Sequence, residues 1–175
     1  MALVVLLRGV NVGGHRIFRP SRFAEELREF DAVNIGAAGT FVVRRPGPLR
    51  QFRATLVRKL PVETEIAFCD GRELLELARR QPFGPRAAEP DVVRFASFLV
   101  RGRSDRLALP LHFPDAANWL VRVRGCDGRI AFGEYRRHMK TIGYLGQLDK
   151  AFGVPVTTRN WNTVNAILTL LTRTP

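Results

Sequence analysis

The chain has little of what most enzymatic and metal chemistry rests on: its 175 residues include two cysteines, three histidines, two tyrosines and three lysines. Cys69 and Cys126 lie far apart, with no C-x-x-C pair and no companion histidine at metal-ligand spacing, so neither a zinc site nor a disulfide framework can be built. They read as two small apolar side chains of a protein kept under reducing conditions. His15, His112 and His138 fall in unrelated segments. With no G-x-S-x-G elbow and no H-E-x-x-H, neither a serine-hydrolase set nor a zincin set can be assembled. No metal and no cofactor is expected. Long apolar runs are also missing, since none approaches the roughly 18–20 residues that cross a bilayer. The stretch "ALVVLL" (2–7) has no basic segment before it and no small-residue cleavage site after it, so it does not read as a secretory signal. The expected location is the cytoplasm, with no membrane partner.

Negative charge is scarce. Sixteen acidic residues face 28 basic ones, giving a net charge of +12, and such a surplus attracts phosphate polyanions. The basic residues are nearly all arginine, with alanine, glycine and proline plentiful, a bias that GC-rich codon usage produces on its own. They are scattered along the chain, without the like-charged blocks that mark nucleic-acid-binding arms. Composition therefore allows a nucleic-acid partner without requiring one.

The apolar pattern is informative. Ala2–Leu7 is a continuous valine-rich run, as in a strand buried on both faces. Pro20 and Ser21 open a helix with Phe23, Leu27 and Phe30 at i, i+4 and i+7. "AVNIG" (32–36) and "TFVVR" (40–44) flank the short "AAG" as two strands joined by a tight turn. Leu49, Phe52, Leu56 and Leu60 mark one face of a second helix, "TEIAF" (64–68) is another strand, and Asp70 with Glu73 forms a capping box for a helix ended by Pro82. The order is βαββαβ plus one helix. After the Pro- and Ala-rich joint "QPFGPRAAEP" (81–90), the second half repeats it. It offers strand "VVRFASFLV" (92–100), a short helix in 104–110 capped by Ser104, strands "NWLVRV" (118–123) and "RIAFGEY" (129–135), a helix marked by Leu145, Leu148 and Phe152, strand "VPVTT" (154–158), and an amphipathic helix on Trp161, Val164, Ile167, Leu168 and Leu171. The expected fold class is α+β, a duplicated ferredoxin-like βαββαβ unit with an extra helix after each copy. The copies span 1–81 and 91–175, with 82–90 as linker. The halves share pattern rather than residues.

Two segments carry candidate binding groups. In "LLRGVNVGGH" (6–15) a strand runs into a glycine loop, where Gly13 and Gly14 expose backbone N–H groups and Arg8 and Asn11 add side-chain donors, with His15 and Arg16 nearby. The segment matches neither G-x-G-x-x-G nor G-x-x-x-x-G-K, and a glycine pair also suits a plain turn. In "TTRNWNTV" (157–164) a strand hands over to a helix, and Arg159, Asn160 and Asn162 surround Trp161. Either these groups hold a phosphate or carboxylate, or Asn160 or Thr158 caps the helix over a core tryptophan. "EYRRHMK" (134–140) reads as a solvated basic turn that also offers anion donors.

These segments resemble the bacterial family called domain of unknown function 1697. The resemblance rests on "LLRGVNVGG", "NIGAAGTFVV", "QPFG", "VVRFASFL" and above all "TTRNWNTV", in order along almost the whole chain. It implies two ferredoxin-like α+β halves and carries no activity. Similar sequences show "SGNVVF" in the hairpin, where this chain has Ala38, Gly39, Thr40, Phe41, Val42 and Val43, so the polar groups of that hairpin are lost here. Lys140 fits the place of a lysine that similar sequences carry ahead of the penultimate helix, with Met139 standing where a serine is usual.

The function expected is a binding module for an anionic ligand, nucleic acid or a phosphorylated molecule. The loop 8–14 and the turn 158–162 are expected to share one cleft. A second reading is a small-molecule enzyme in which Arg8, Lys140 and Arg159 hold a phosphorylated or carboxylated substrate while Asn11, Asn160 or Asn162 orients it. A third is a self-associating accessory protein whose polar motifs are structural. Oligomeric state stays open, as does the choice between enzyme and binding protein.

Overall fold

The computed structural model describes residues 2–11, 18–102 and 107–173. The protein is α+β, with two antiparallel sheets and several helices. It forms two compact units, one of residues 1–75 with 165–175 and the other of residues 76–164. The division falls within one helix, Gly71–Arg79, and again within the last, Trp161–Thr172, whereas the sequence alone placed the joint at 81–90.

In the first unit, strands β1 (Leu3–Leu7), β2 (Ala32–Ile35), β3 (Thr40–Val43) and β4 (Ile66–Asp70) form a sheet in the order β2-β3-β1-β4. All five residues of β1 are buried, as a central strand covered on both faces requires. Leu3, Val5 and Leu7 share a core with Phe41 and Val43 and with the apolar stripes of α1 (Pro20–Glu26) and α2 (Leu49–Lys59). Phe23 and Leu27 supply the first stripe, Phe52 and Leu56 the second. Leu49 opens α2 and remains 43% exposed, so it lies outside the stripe its spacing suggested. Gly39, at φ +69° in the β2–β3 turn, lies where a Cβ would come within 2.7 Å of Val10 Cγ2. α3 (Gly71–Arg79) starts at Asp70, whose Oδ1 accepts the Arg72 N–H at 3.0 Å. A Cβ on Gly71 would meet Leu171 of the last helix at 2.7 Å, so that helix rests on bare backbone there.

In the second unit, β5 (Val92–Leu99), β6 (Leu111–Phe113), β7 (Val121–Asp127), β8 (Ile130–Arg136) and β9 (Val156–Asn160) form a sheet in the order β6-β7-β8-β5-β9. Without β6, the permutation β7-β8-β5-β9 is that of the first sheet. The helix expected in 104–110 is not there over 107–110, and residues 103–106 lie outside those described. Leu107, Leu109, Leu111 and Phe113 recur at every second position and all pack on the core, which is the period of an extended chain and explains β6. One sheet face carries Phe95, Leu99, Val121, Val123 and Ala131 against Leu148 and Phe152 of α5 (Leu148–Phe152), which follows α4 (Thr141–Gly146). α6 (Trp161–Thr172) begins directly after β9 and buries Val164, Ile167 and Leu171.

Side-chain size is tightly constrained where β5, β7 and β8 run together. Gly133 pairs with Phe95 on one side and Val123 on the other. A Cβ there would sit 2.1 Å from the Arg122 carbonyl oxygen and 2.9 Å from the Phe95 ring. Backbone cannot yield as a flexible side chain does, so Gly133→Ala is expected to destabilise the protein by about 3 kcal/mol, as overpacking of a tight site does. Urea denaturation reads this as a lowered midpoint; an unchanged midpoint would mean that the β7–β8 spacing is looser than described.

Candidate functional site

Cross-strand register on the second sheet builds a charged cluster. Arg122 on β7 and Arg94 on β5 both pair with Glu134 on the strand between them. The side chains of a cross-strand row share one face, so the two arginines flank the carboxylate. A bulge between Val123 and Gly125 sets Gly125 opposite Phe132. The Phe132 ring occupies the space of a Gly125 Cβ, at 2.4 Å, so only glycine fits the bulge. Arg124 belongs to that bulge and is the third cation on Glu134.

Glu134 has a side-chain exposure of 5%. Arg122 binds its Oε2 through Nε at 2.7 Å and Nη2 at 2.5 Å. Arg124 Nη1 stands 3.6 Å and Arg94 Nε 3.7 Å from Oε1, too far for hydrogen bonds. Arg94 Nη2 donates to the Arg86 carbonyl, while its buried Nε makes no hydrogen bond among the described residues. Burying one carboxylate requires a cation. Three cations on one carboxylate leave a surplus of positive charge.

Aromatic rings line the same place. The Arg94 guanidinium lies 4.9 Å over the Phe83 ring, and Arg122 and Arg136 lie 4.1 and 4.5 Å over Trp119. Phe83 meets Phe132 and Trp161 edge-on, at 6.0 and 4.8 Å. Arg136 is held separately, by Asp91 at 2.7 Å and Glu89 at 3.1 Å. Those bonds raise the Arg136 pKa further and lower that of Asp91. Together these groups border an open cleft of about 270 Å³ lined by Phe83, Arg86, Arg94, Trp119, Arg122 and Arg124, with Glu134 at its base. A larger cleft of about 570 Å³ in the first unit is lined by Arg22, Arg28, Lys59, Glu25, Glu26 and Glu29. Its acids and bases are equal in number, and Lys59 bonds Glu29 at 2.9 Å, so it shows no preference of sign. No cluster of three or more metal-ligating side chains occurs among the described residues.

Of the residues singled out in the sequence, those that are described do not line this cleft. Gly13 and Gly14, with His15 and Arg16, lie outside the described residues. Asn11, at φ +74°, accepts the Phe18 N–H at 2.9 Å and donates to the Ala37 carbonyl at 2.9 Å, so it ties the loop to the β2–β3 hairpin. Arg8 is half-buried; its backbone N–H bonds Glu65 and its carbonyl accepts the Thr64 hydroxyl. It belongs to the first unit, Arg159 to the second. Lys140 is exposed on the basic turn before α4, its N–H bonded to His138 Nδ1 at 3.1 Å. Asn162 is exposed in the first turn of α6. Asn160 Oδ1 accepts the Thr163 N–H at 2.9 Å and so caps α6. Arg159 lies on β9, 8% exposed, and donates to Thr157 Oγ1 and the Thr158 carbonyl. The groups that do converge, Arg94, Arg122, Arg124 and Glu134, had a sequence signal: "VRVR" (121–124) alternates with the period of a strand, one face apolar and the other cationic.

Comparison with protein-family models, with curated proteins and with solved structures finds no match.

Two measurements check the turn at 157–163. Asn160→Ala is expected to cost about 1 kcal/mol of stability, the usual loss for a helix cap, and to leave anion affinity unchanged. A lost affinity with intact stability would return Asn160 to the binding groups. Burial lowers the Arg159 pKa to about 10. A base whose pKa falls on folding holds fewer protons folded than unfolded above that lowered value, so its contribution to stability rises as pH climbs past about 10. Carbon-detected NMR of the guanidinium is expected to show Arg159 titrating near 10. A guanidinium signal constant up to pH 12 contradicts it.

Proposed function

We propose that the protein is a binding module for a phosphate-bearing anion and that the cleft of Arg94, Arg122 and Arg124 holds it. The observation that carries this reading is the mismatch at Glu134: one buried carboxylate faces three guanidinium groups. A phosphoryl group has the charge and the spare oxygens to complete such a cluster. The chain's net charge of +12 adds long-range attraction for such ligands. A duplicated ferredoxin-like arrangement is our reading of the fold, supported by the strand permutation common to both sheets. The same arrangement, with "TTRNWNTV" and "LLRGVNVGG", supports membership of the family called domain of unknown function 1697. Nucleic acid is the first ligand to test, since it presents phosphates in series.

Anisotropy titration with a labelled single-stranded oligonucleotide checks this. Affinity is expected to fall with salt, at a log–log slope of about 0.7 per phosphate engaged. Arg94→Ala and Arg122→Ala are each expected to weaken binding by about 1.5–3 kcal/mol, with a less than additive double variant. Absence of binding at low salt, or wild-type affinity in both variants, rejects the reading.

A further inference from the structure

We infer that the cleft takes single-stranded nucleic acid, reading its bases by stacking at Trp119. This rests on the anion-binding role proposed above and adds the class of ligand. The arginines of the cleft do not stand as bare point charges. Arg122 and Arg136 lie 4.1 and 4.5 Å over the Trp119 ring, and Arg94 lies 4.9 Å over Phe83. A guanidinium stacked on a ring is held flat, and both its plane and an aromatic plane accept a nucleobase.

The exposures divide the labour. Phe83 is buried and packs edge-on against Phe132 and Trp161, so it serves as floor. Trp119 is partly exposed, in the segment that leads into β7, with Arg122 and Arg136 about one-third exposed beside it. Arg124 is 40% exposed and Arg86 is open to solvent. Trp119 with the Arg122 and Arg136 guanidinium groups on its ring is therefore one aromatic–cationic stack beside the charged wall, and a base extends that stack. Inorganic phosphate uses only the charged wall. Paired bases of a duplex cannot reach the stack, because their faces are stacked on each other. A single strand alternates unstacked bases with phosphates at the spacing of neighbouring side chains, and it uses both.

The test compares four probes on the intact protein at one low salt concentration. They are a short oligothymidylate, an abasic strand with the same number of phosphates, a duplex of the same length, and tripolyphosphate as competitor. The thymidylate is expected to bind roughly tenfold or more tightly than the abasic strand, the range of one stacked base. It is expected to quench tryptophan emission, and the quench should vanish in Trp119→Leu and persist in Trp161→Phe. Trp119→Leu should equalise the thymidylate and abasic affinities while leaving their salt dependence in place. If the two strands bind wild-type protein equally and both lose affinity in Arg122→Ala, base stacking is overturned and the anion site stands. A preference for the duplex, or a base preference that survives in Trp119→Leu, likewise overturns it. If no probe binds, both readings fall together. The strand comparison uses wild-type protein, so it decides the matter even if Trp119→Leu does not fold.

Discussion

A single carboxylate, Glu134, organises the charged side of the second unit. Buried to 5% exposure in the middle of a sheet, it is stable only with a cation in contact, and Arg122 meets that need from the neighbouring strand at 2.5–2.7 Å. Arg122 is thereby fixed over Trp119, and Arg94, drawn toward the same oxygen from the opposite strand, is fixed over Phe83. The rings hold the guanidinium planes, and the carboxylate holds their ends. Removing the carboxylate would leave three like charges crowded on one face, so the cluster depends on Glu134 for cohesion.

The backbone below this cluster is shaped to allow it. Gly125 lies next to Arg124 and Gly133 next to Glu134; the Phe132 ring occupies the place of a Gly125 Cβ, and the Arg122 carbonyl oxygen with the core-facing Phe95 ring that of a Gly133 Cβ. Close approach of β7 and β8 brings the Arg122 and Glu134 side chains to hydrogen-bond distance, while the bulge turns Arg124 toward the same carboxylate. Packing and electrostatics thus share one cause, the register of three strands.

Much of the fold is readable in the sequence because its signals are local. The continuous run of β1, the i, i+4 spacing of Phe23 and Leu27, and the apolar stripe of α6 each report a burial pattern that the structure repeats. The stretch 104–110 reads as a short helix because Ser104 and Pro110 bracket its leucines, yet over 107–110 the chain is not helical, and only the core decides between periods. The site was harder to see for a different reason. Asn11 and Asn160 look like ligand donors in sequence, yet each is engaged by backbone, one tying a loop to a hairpin and one capping a helix. The arginines that do cluster come from β5 and β7, with the Glu134 of β8 between them, and nothing in the linear sequence reports which strands become neighbours.

The division of the chain between its two units has a consequence for synthesis. Residues 165–175 belong with residues 1–75, and Leu171 lies over Gly71. The first unit to leave the ribosome is therefore the last to be completed, since its closing segment follows the whole of 76–164. The second unit can close on its own residues in that interval. Order of synthesis and order of completion of the two units therefore run opposite to each other.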